Sequence, residues 1–184
     1  NGITLHYQPY ILYICLLKLA MPILQEDISL KPYNTFSIDV KATLFADAKS
    51  EADLAAIFDT SITKSKKLLV LGGGSNMLFT KDFDGLVVKV NIQGIDFAQH
   101  GDEVMVTAGG GVVWNDLVNY CVANEFAGME NLALIPGTVG ASPIQNIGAY
   151  GVELKDIFTS CTAFEIATGK IKKFNYLTVK YLKY

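Results

Sequence analysis

At 184 residues, with 51% hydrophobic residues and a mean hydropathy of +0.31, the chain has the apolar content for one packed domain with a small accessory lobe, which argues against disorder. Its net charge of -3 and pI of about 5.3 give no electrostatic basis for binding nucleic acid or an anionic membrane. Cys15, Cys121 and Cys161 are few and far apart, and His6 and His100 stand alone, so neither a disulfide framework nor a protein-bound metal is expected. A reducing cytoplasm is the simplest compartment.

Ile11 to Leu24 is apolar apart from Lys18, but too short to span a bilayer, and it lacks the flanks of a signal peptide. Met21 is followed by Pro22 and then by regular sequence, so the expectation is that Met21 is the start and that residues 1–20 are a non-native upstream extension. From Lys31 the pattern is organised. Asn34-Thr35-Phe36 follows Pro32 in a turn-like setting, and Ala42 to Ala46 reads as a strand. Ser50-Glu51-Ala52-Asp53 has the form of a helix start, with Leu54, Ile57 and Phe58 as its apolar face.

Lys67 to Leu71 is a compact apolar strand that runs into Gly72-Gly73-Gly74-Ser75-Asn76, after which Met77 to Thr80 has strand character. A dinucleotide fingerprint would need glycine, not Met77, at its sixth position, and a helix directly after. What survives is a strand and a glycine turn whose N–H groups can converge on an anion, with a tight hairpin as the plain alternative. Leu86 to Val90, Gly94 to Ala98 and Glu103 to Ala108 give three short strands, and Gly109-Gly110-Gly111 is a second glycine turn. Val113, Trp114, Leu117, Val118, Cys121 and Val122 then recur at helical spacing, which makes Trp114 and Cys121 core residues. Cys161 to Ala167 and Ile171 to Phe174 form a hairpin turning at Thr168-Gly169-Lys170, and the last ten residues, Asn175 to Tyr184, carry no usable helix or strand signal.

Leu132 to Gly151 is a long, tightly folded loop in which four glycines and two prolines lie among Thr, Ser, Gln and Asn without net charge. Glycine admits close backbone approach, and small hydroxyls and amides add donors and acceptors, a surface suited to a large, flat cofactor with polar edges. The plain alternative is a structural crossing between two elements.

Leu30-Lys31-Pro32-Tyr33-Asn34-Thr35-Phe36, the run Leu71 to Leu78, and the stretch from Glu130-Asn131-Leu132 to Gly151-Val152-Glu153-Leu154 together resemble the flavin-binding part of the UDP-N-acetylenolpyruvoylglucosamine reductase (UDP-N-acetylmuramate dehydrogenase) family. The resemblance implies an α+β fold, a two-lobed FAD-binding domain of the vanillyl-alcohol oxidase / p-cresol methylhydroxylase type. It divides the chain into a small lobe at 21–71 and a larger lobe at 72–175, with 176–184 an aberrant tail and the substrate domain missing.

By the same resemblance, NADPH reduces a non-covalent FAD, which delivers hydride to UDP-N-acetylglucosamine enolpyruvate to make UDP-N-acetylmuramate for the cell wall. The implied partner is a nucleotide-sugar substrate, with no nucleic acid and no membrane. Gly72, Gly73, Gly74, Ser75, Asn76 and Met77 would hold the diphosphate. Pro136, Gly137, Thr138, Gly140, Ala141, Ser142, Ile144, Gln145 and Asn146 would line the flavin and ribityl chain, with Gly109 in the same wall. The family's catalytic Arg of a Tyr-Arg pair, Ser of a Gly-Ser-Phe-Phe stretch and Glu near the C-terminus have no counterpart here, so a cofactor-binding fragment without turnover is expected, as a shifted reading frame would produce. Another flavin oxidase or dehydrogenase of the same fold, a non-catalytic flavin-binding module, and an α+β domain without ligand remain the alternatives.

Overall fold

The computed structural model describes residues 24–59 and 66–175. The expected start at Met21, the segment 1–20 and the tail 176–184 lie outside the described residues.

The first sheet has four strands: β1 (Gln25–Ser29), β2 (Lys41–Ala48), β3 (Leu68–Leu71) and β4 (Phe83–Val90), in the order β1-β2-β4-β3. β1 runs antiparallel to β2, whereas β2 and β3 are both parallel to β4. The sheet therefore does not stop at Leu71, where the sequence places the lobe boundary; β4, with β2 one of its two inner strands, carries it to Val90. The tight hairpin considered for Gly72 to Asn76 is not formed: Met77 to Thr80, its would-be second arm, is no strand, and β3 pairs instead with the parallel β4.

Alternation in these strands feeds two cores, one on each face. Phe45, Leu71 and Val87 pack with Leu30, Val40, Ala42 and Phe79; Leu44, Ala46, Ala48, Leu86 and Val88 pack beneath α1 (Glu51–Phe58) with Ile57 and Phe58. Ala42 and Leu44 have the same parity yet face opposite cores, at the point where the register between the strands shifts and two residues of β4, Asp84 and Gly85, stand against the single Thr43 of β2. α1 begins as its sequence requires: Ser50 Oγ accepts from Asp53 N at 3.1 Å, and Asp53 Oδ2 accepts from Lys49 N at 2.8 Å.

Met77 to Thr80, expected as a strand, forms none. The extended alternation is there, with Phe79 buried in the first core and Leu78 and Thr80 outside, but no described strand pairs with it.

The second body is built around α2 (Trp114–Ala123). Trp114, Leu117, Val118 and Cys121 are buried with Val112, Leu132, Ile147 and Leu154, and the hairpin of β5 (Ile95–His100) and β6 (Glu103–Ala108) adds Ile95, Val106 and Ala108. Trp114 and Cys121 are core residues as expected, and Trp114 Nε1 donates to Leu132 O at 2.8 Å. Val122, expected on the same face, is half exposed, although Cys121 in the same last turn is buried. The long loop is less irregular than its composition suggests. It contains a 3-10 turn at Val139–Ala141, the single-turn helix α3 (Ser142–Gln145), and the two-residue strands β7 (Gly148–Ala149) and β8 (Val152–Glu153).

β9 (Ser160–Glu165) and β10 (Lys170–Asn175) form the expected hairpin, and Phe164 stacks on Phe58 of α1 with ring centroids 5.7 Å apart. Lys172 and Thr168 both donate to Glu165, holding its carboxyl below the usual range.

One buried side chain fixes the entry to the sheet. Asn34 donates through Nδ2 to Leu30 O (2.7 Å) and Ile38 O (3.0 Å), and its Oδ1 accepts from Ile38 N at 3.0 Å. Asn34→Ala would leave these backbone groups short of partners in a buried place, so a loss of about 3 kcal/mol is expected. Thermal unfolding checks it, with a fall in Tm of roughly 6–12 °C.

Candidate cofactor site

Three glycine-bearing stretches converge where the sheet meets the second body. A Cβ added at Gly72 would lie 2.8 Å from Thr138 Oγ1 and 3.4 Å from Ala141 Cβ; one at Gly73 would lie 3.2 Å from Gly137 Cα. On the other side, Gly110 O accepts from Gly140 N at 2.9 Å, and a Cβ at Gly140 would sit 2.9 Å from that oxygen. These approaches have no room for side chains. The long loop is further stitched to the start of α2: Gly137 O accepts from Trp114 N at 3.0 Å, and Val139 N donates to Val112 O at 2.9 Å.

The first glycine turn is anchored by its carbonyls. Lys89 Nζ donates to Gly72 O at 2.5 Å, and Thr35 N donates to Gly74 O at 3.3 Å. In a trans peptide the carbonyl and the following N–H point to opposite sides, so both anchors turn the N–H groups of Gly73 and Ser75 away from themselves. Among the described residues, the N–H groups of Gly73, Gly74, Ser75 and Asn76 donate to no protein acceptor. Such a run of unpaired amides is a ready anion cradle. Beside it, Thr138 is 4% exposed and its Oγ1 has no partner, an uncommon state for a buried hydroxyl.

Lys89 is half-buried. Burial pushes its pKa below the ordinary lysine value, while Asp47 on the neighbouring strand pushes the other way. Asp47 in turn accepts from Asn91 Nδ2 at 3.2 Å, and Asn91 lies against the second glycine turn, 2.6 Å from where a Cβ on Gly111 would be.

The structure thus brings Gly72, Gly73, Ser75, Gly137, Thr138, Gly140 and Ala141 to one seam; a Cβ at Gly137 would meet Ser75 Oγ at 3.6 Å. Ser142 is buried behind them, its Oγ donating to Val139 O at 2.7 Å. Asn76 and Pro136 are exposed at the margin, and Met77 packs toward the first core. Ile144 and Gln145 face solvent, and Asn146, in the left-handed region, lines a separate open cleft of about 510 Å³ with Glu153, Lys155 and Asp156. Gly109 lies against Ile92 O, and its neighbour Gly110 is the one that touches the long loop. Sequence reasoning missed Gly110 and Lys89. The first is one of three equivalent glycines, and the second is a lysine in an apolar strand with no motif around it.

Among the described residues, no His, Cys, Asp and Glu group could hold a metal ion, and no helix is long and apolar enough to cross a membrane.

The FAD binding domain family matches residues 42–175, more than half of the chain, and the chain belongs to that family. Its curated relatives include the UDP-N-acetylenolpyruvoylglucosamine reductases of Amoebophilus asiaticus and Pseudomonas aeruginosa. The first is 50% identical over 153 residues and the second 49% identical over 153 residues. Both alignments cover 83% of this chain but only 45% of the relative, so the chain spans about half the length of the curated relatives it matches. Among solved structures, UDP-N-acetylenolpyruvylglucosamine reductase from Thermus caldophilus superposes with a TM-score of 0.64 at 20% identity, covering 84% of this chain and 54% of that one. 6-Hydroxy-D-nicotine oxidase from Arthrobacter nicotinovorans superposes with a TM-score of 0.55 at 20% identity, covering 84% and 36%. A solvent-stable cholesterol oxidase does so with a TM-score of 0.57 at 15% identity, covering 84% and 33%. The expected α+β fold of the vanillyl-alcohol oxidase / p-cresol methylhydroxylase type is thereby established.

The seam has a direct test. Gly74 has φ +67°, and a Cβ there would sit 2.0 Å from Tyr33 O, whereas Gly101 has φ +64° with nothing within 4 Å. Gly101→Ala should cost about 1 kcal/mol, the strain of the left-handed backbone alone. Gly74→Ala should cost about 2–4 kcal/mol, because backbone must also move. Denaturant unfolding of the two variants measures the difference.

Proposed function

We propose that this chain is the FAD-holding part of a reductase that uses NADPH to convert UDP-N-acetylglucosamine enolpyruvate into UDP-N-acetylmuramate in the cytoplasm, a step of peptidoglycan synthesis. The observation that carries the reading is the row of unpaired N–H groups at residues 73–76 beside the buried, unpartnered Thr138 hydroxyl, in a seam where only backbone fits. A diphosphate needs several converging donors and no nearby side chain. The names of relatives at 50% and 49% identity supply the substrate class.

The residues fit the cofactor. Gly72 to Met77 would take the diphosphate; Gly109, Pro136, Gly137, Thr138, Gly140, Ala141, Ser142, Ile144, Gln145 and Asn146 would serve the ribityl chain and the flavin. Neither stretch contains histidine or cysteine, so FAD would be held without a covalent bond. FAD, when bound, carries the hydride between the nicotinamide and the enolpyruvyl ether. The chain's own work is to orient it, to keep water from its face, and to offer uncharged donors where charge develops.

Proton donation and binding of the substrate's phosphates call for the family's Arg, Ser and Glu. None of their motifs occurs in these 184 residues, which contain no arginine. By itself, then, the chain would bind FAD and turn over no substrate, the nucleotide sugar being a partner of the whole protein.

The chain mixed with FAD and freed of excess should keep a visible flavin band and melt at a higher temperature. Thr138→Val replaces an orphaned buried hydroxyl by its apolar isostere, so the cofactor-free protein should melt no lower while FAD binds about fivefold or more weakly. A colourless wild-type product would overturn the assignment.

A further inference from the structure

Lys89 stands apart from every motif, yet it touches the cradle. It is the last residue of β4 but one, paired in register with Asp47 of β2 on one side and Leu71 of β3 on the other. Its side chain crosses under the end of β3 to reach Gly72 O at 2.5 Å, and no other hydrogen bond of its ammonium is made among the described residues. A half-buried cation spent on one backbone carbonyl is an unusual use of charge, since desolvation opposes it and an apolar residue would pack the same space.

We propose that Lys89 is the positioning residue of the nucleotide cradle. By pinning the Gly72 carbonyl, it fixes the plane of the Gly72-Gly73 peptide and so aims the Gly73 N–H, and the unpaired row that follows, away from the sheet. The proposal rests on the FAD reading given above. Its reasoning has three parts. Gly72, Gly73 and Gly74 lack side chains, so this turn has little of its own to choose one peptide orientation over the flipped one. Among the described residues two bonds select it, Lys89 to Gly72 O and Thr35 to Gly74 O, and they hold alternate peptide planes. The Lys89 bond is the charge-assisted and shorter one, so it is the stronger selector. Asp47, paired in register with Lys89, attracts the ammonium from beyond ion-pair distance and is tied through Asn91 to the second glycine turn. Both turns of the site are thereby referenced to the same sheet edge.

Lys89→Met in the full 184-residue chain keeps the aliphatic stem and removes the donor. Residue-resolved amide exchange without FAD should accelerate about tenfold at Thr35, whose bond to Gly74 O reports the turn, and stay unchanged along Trp114–Ala123. The dissociation constant for FAD, read from flavin fluorescence, should rise about tenfold. Lys89→Arg, which restores a charged donor, should return both readings to within about twofold of wild type. Exchange that accelerates equally at all amides, or not at all at Thr35, would mean that Lys89 only packs and would overturn the proposal. Should Lys89→Met not fold, the arginine variant decides alone: protected Thr35 upholds the positioning role and lost protection refutes it. Because exchange is measured without cofactor, a wild-type chain that fails to bind FAD would refute the functional reading and leave this result readable.

Discussion

The structure depends on backbone meeting backbone without side chains between. Gly72 and Gly73 lie against Gly137 and Thr138, Gly74 against Tyr33, and Gly140 against Gly110, at separations where a single Cβ would collide. These contacts hold the long loop, the first sheet and the second glycine turn in one place. They also explain why the site is made of N–H groups and small hydroxyls: a surface formed by bare main chain presents what the main chain has to offer. An uncharged lining of this kind suits a cofactor that brings its own negative charge and its own chemistry.

Holding bare backbone in one orientation is a separate problem from bringing it close. Glycine turns can flip, and the fold counters this by tying carbonyls down from outside the turn. Asn34 closes the segment that supplies Thr35 N and Tyr33 O, Lys89 supplies the ammonium beneath Gly72, and Trp114 N holds Gly137 O. Each anchor comes from a different element, so the cradle is a property of how the elements pack and not of the glycine run alone.

Much of the architecture was readable from local pattern. Ser50-Glu51-Ala52-Asp53 caps α1 as its residues require, the stripe from Trp114 to Cys121 faces the core, and Thr168-Gly169-Lys170 turns the last hairpin. Met77 to Thr80 misled because alternation reports which side of the chain is buried and not whether a partner strand is present. That the first sheet continues past Leu71 was not legible for a related reason: a glycine run marks a turn, and a parallel strand arriving twelve residues later can rejoin the same sheet. At the seam, the close approach falls on Gly72, Thr138 and Gly140, which lie in stretches of unusual composition. Gly110 and Lys89 were not legible, because nothing local distinguishes one glycine of three, or a lysine on a strand, from its neighbours.

By itself the sequence determined the family and the identity of the glycine and Pro-Gly stretches, since each is a matter of residue type in order along the chain. The tertiary structure alone decided which amides are left unpaired, which hydroxyl is buried without a partner, and which cation holds the turn. Those depend on distances between residues 17 to more than 60 positions apart, set by parallel strand pairing and by close backbone approach, and no local pattern encodes them.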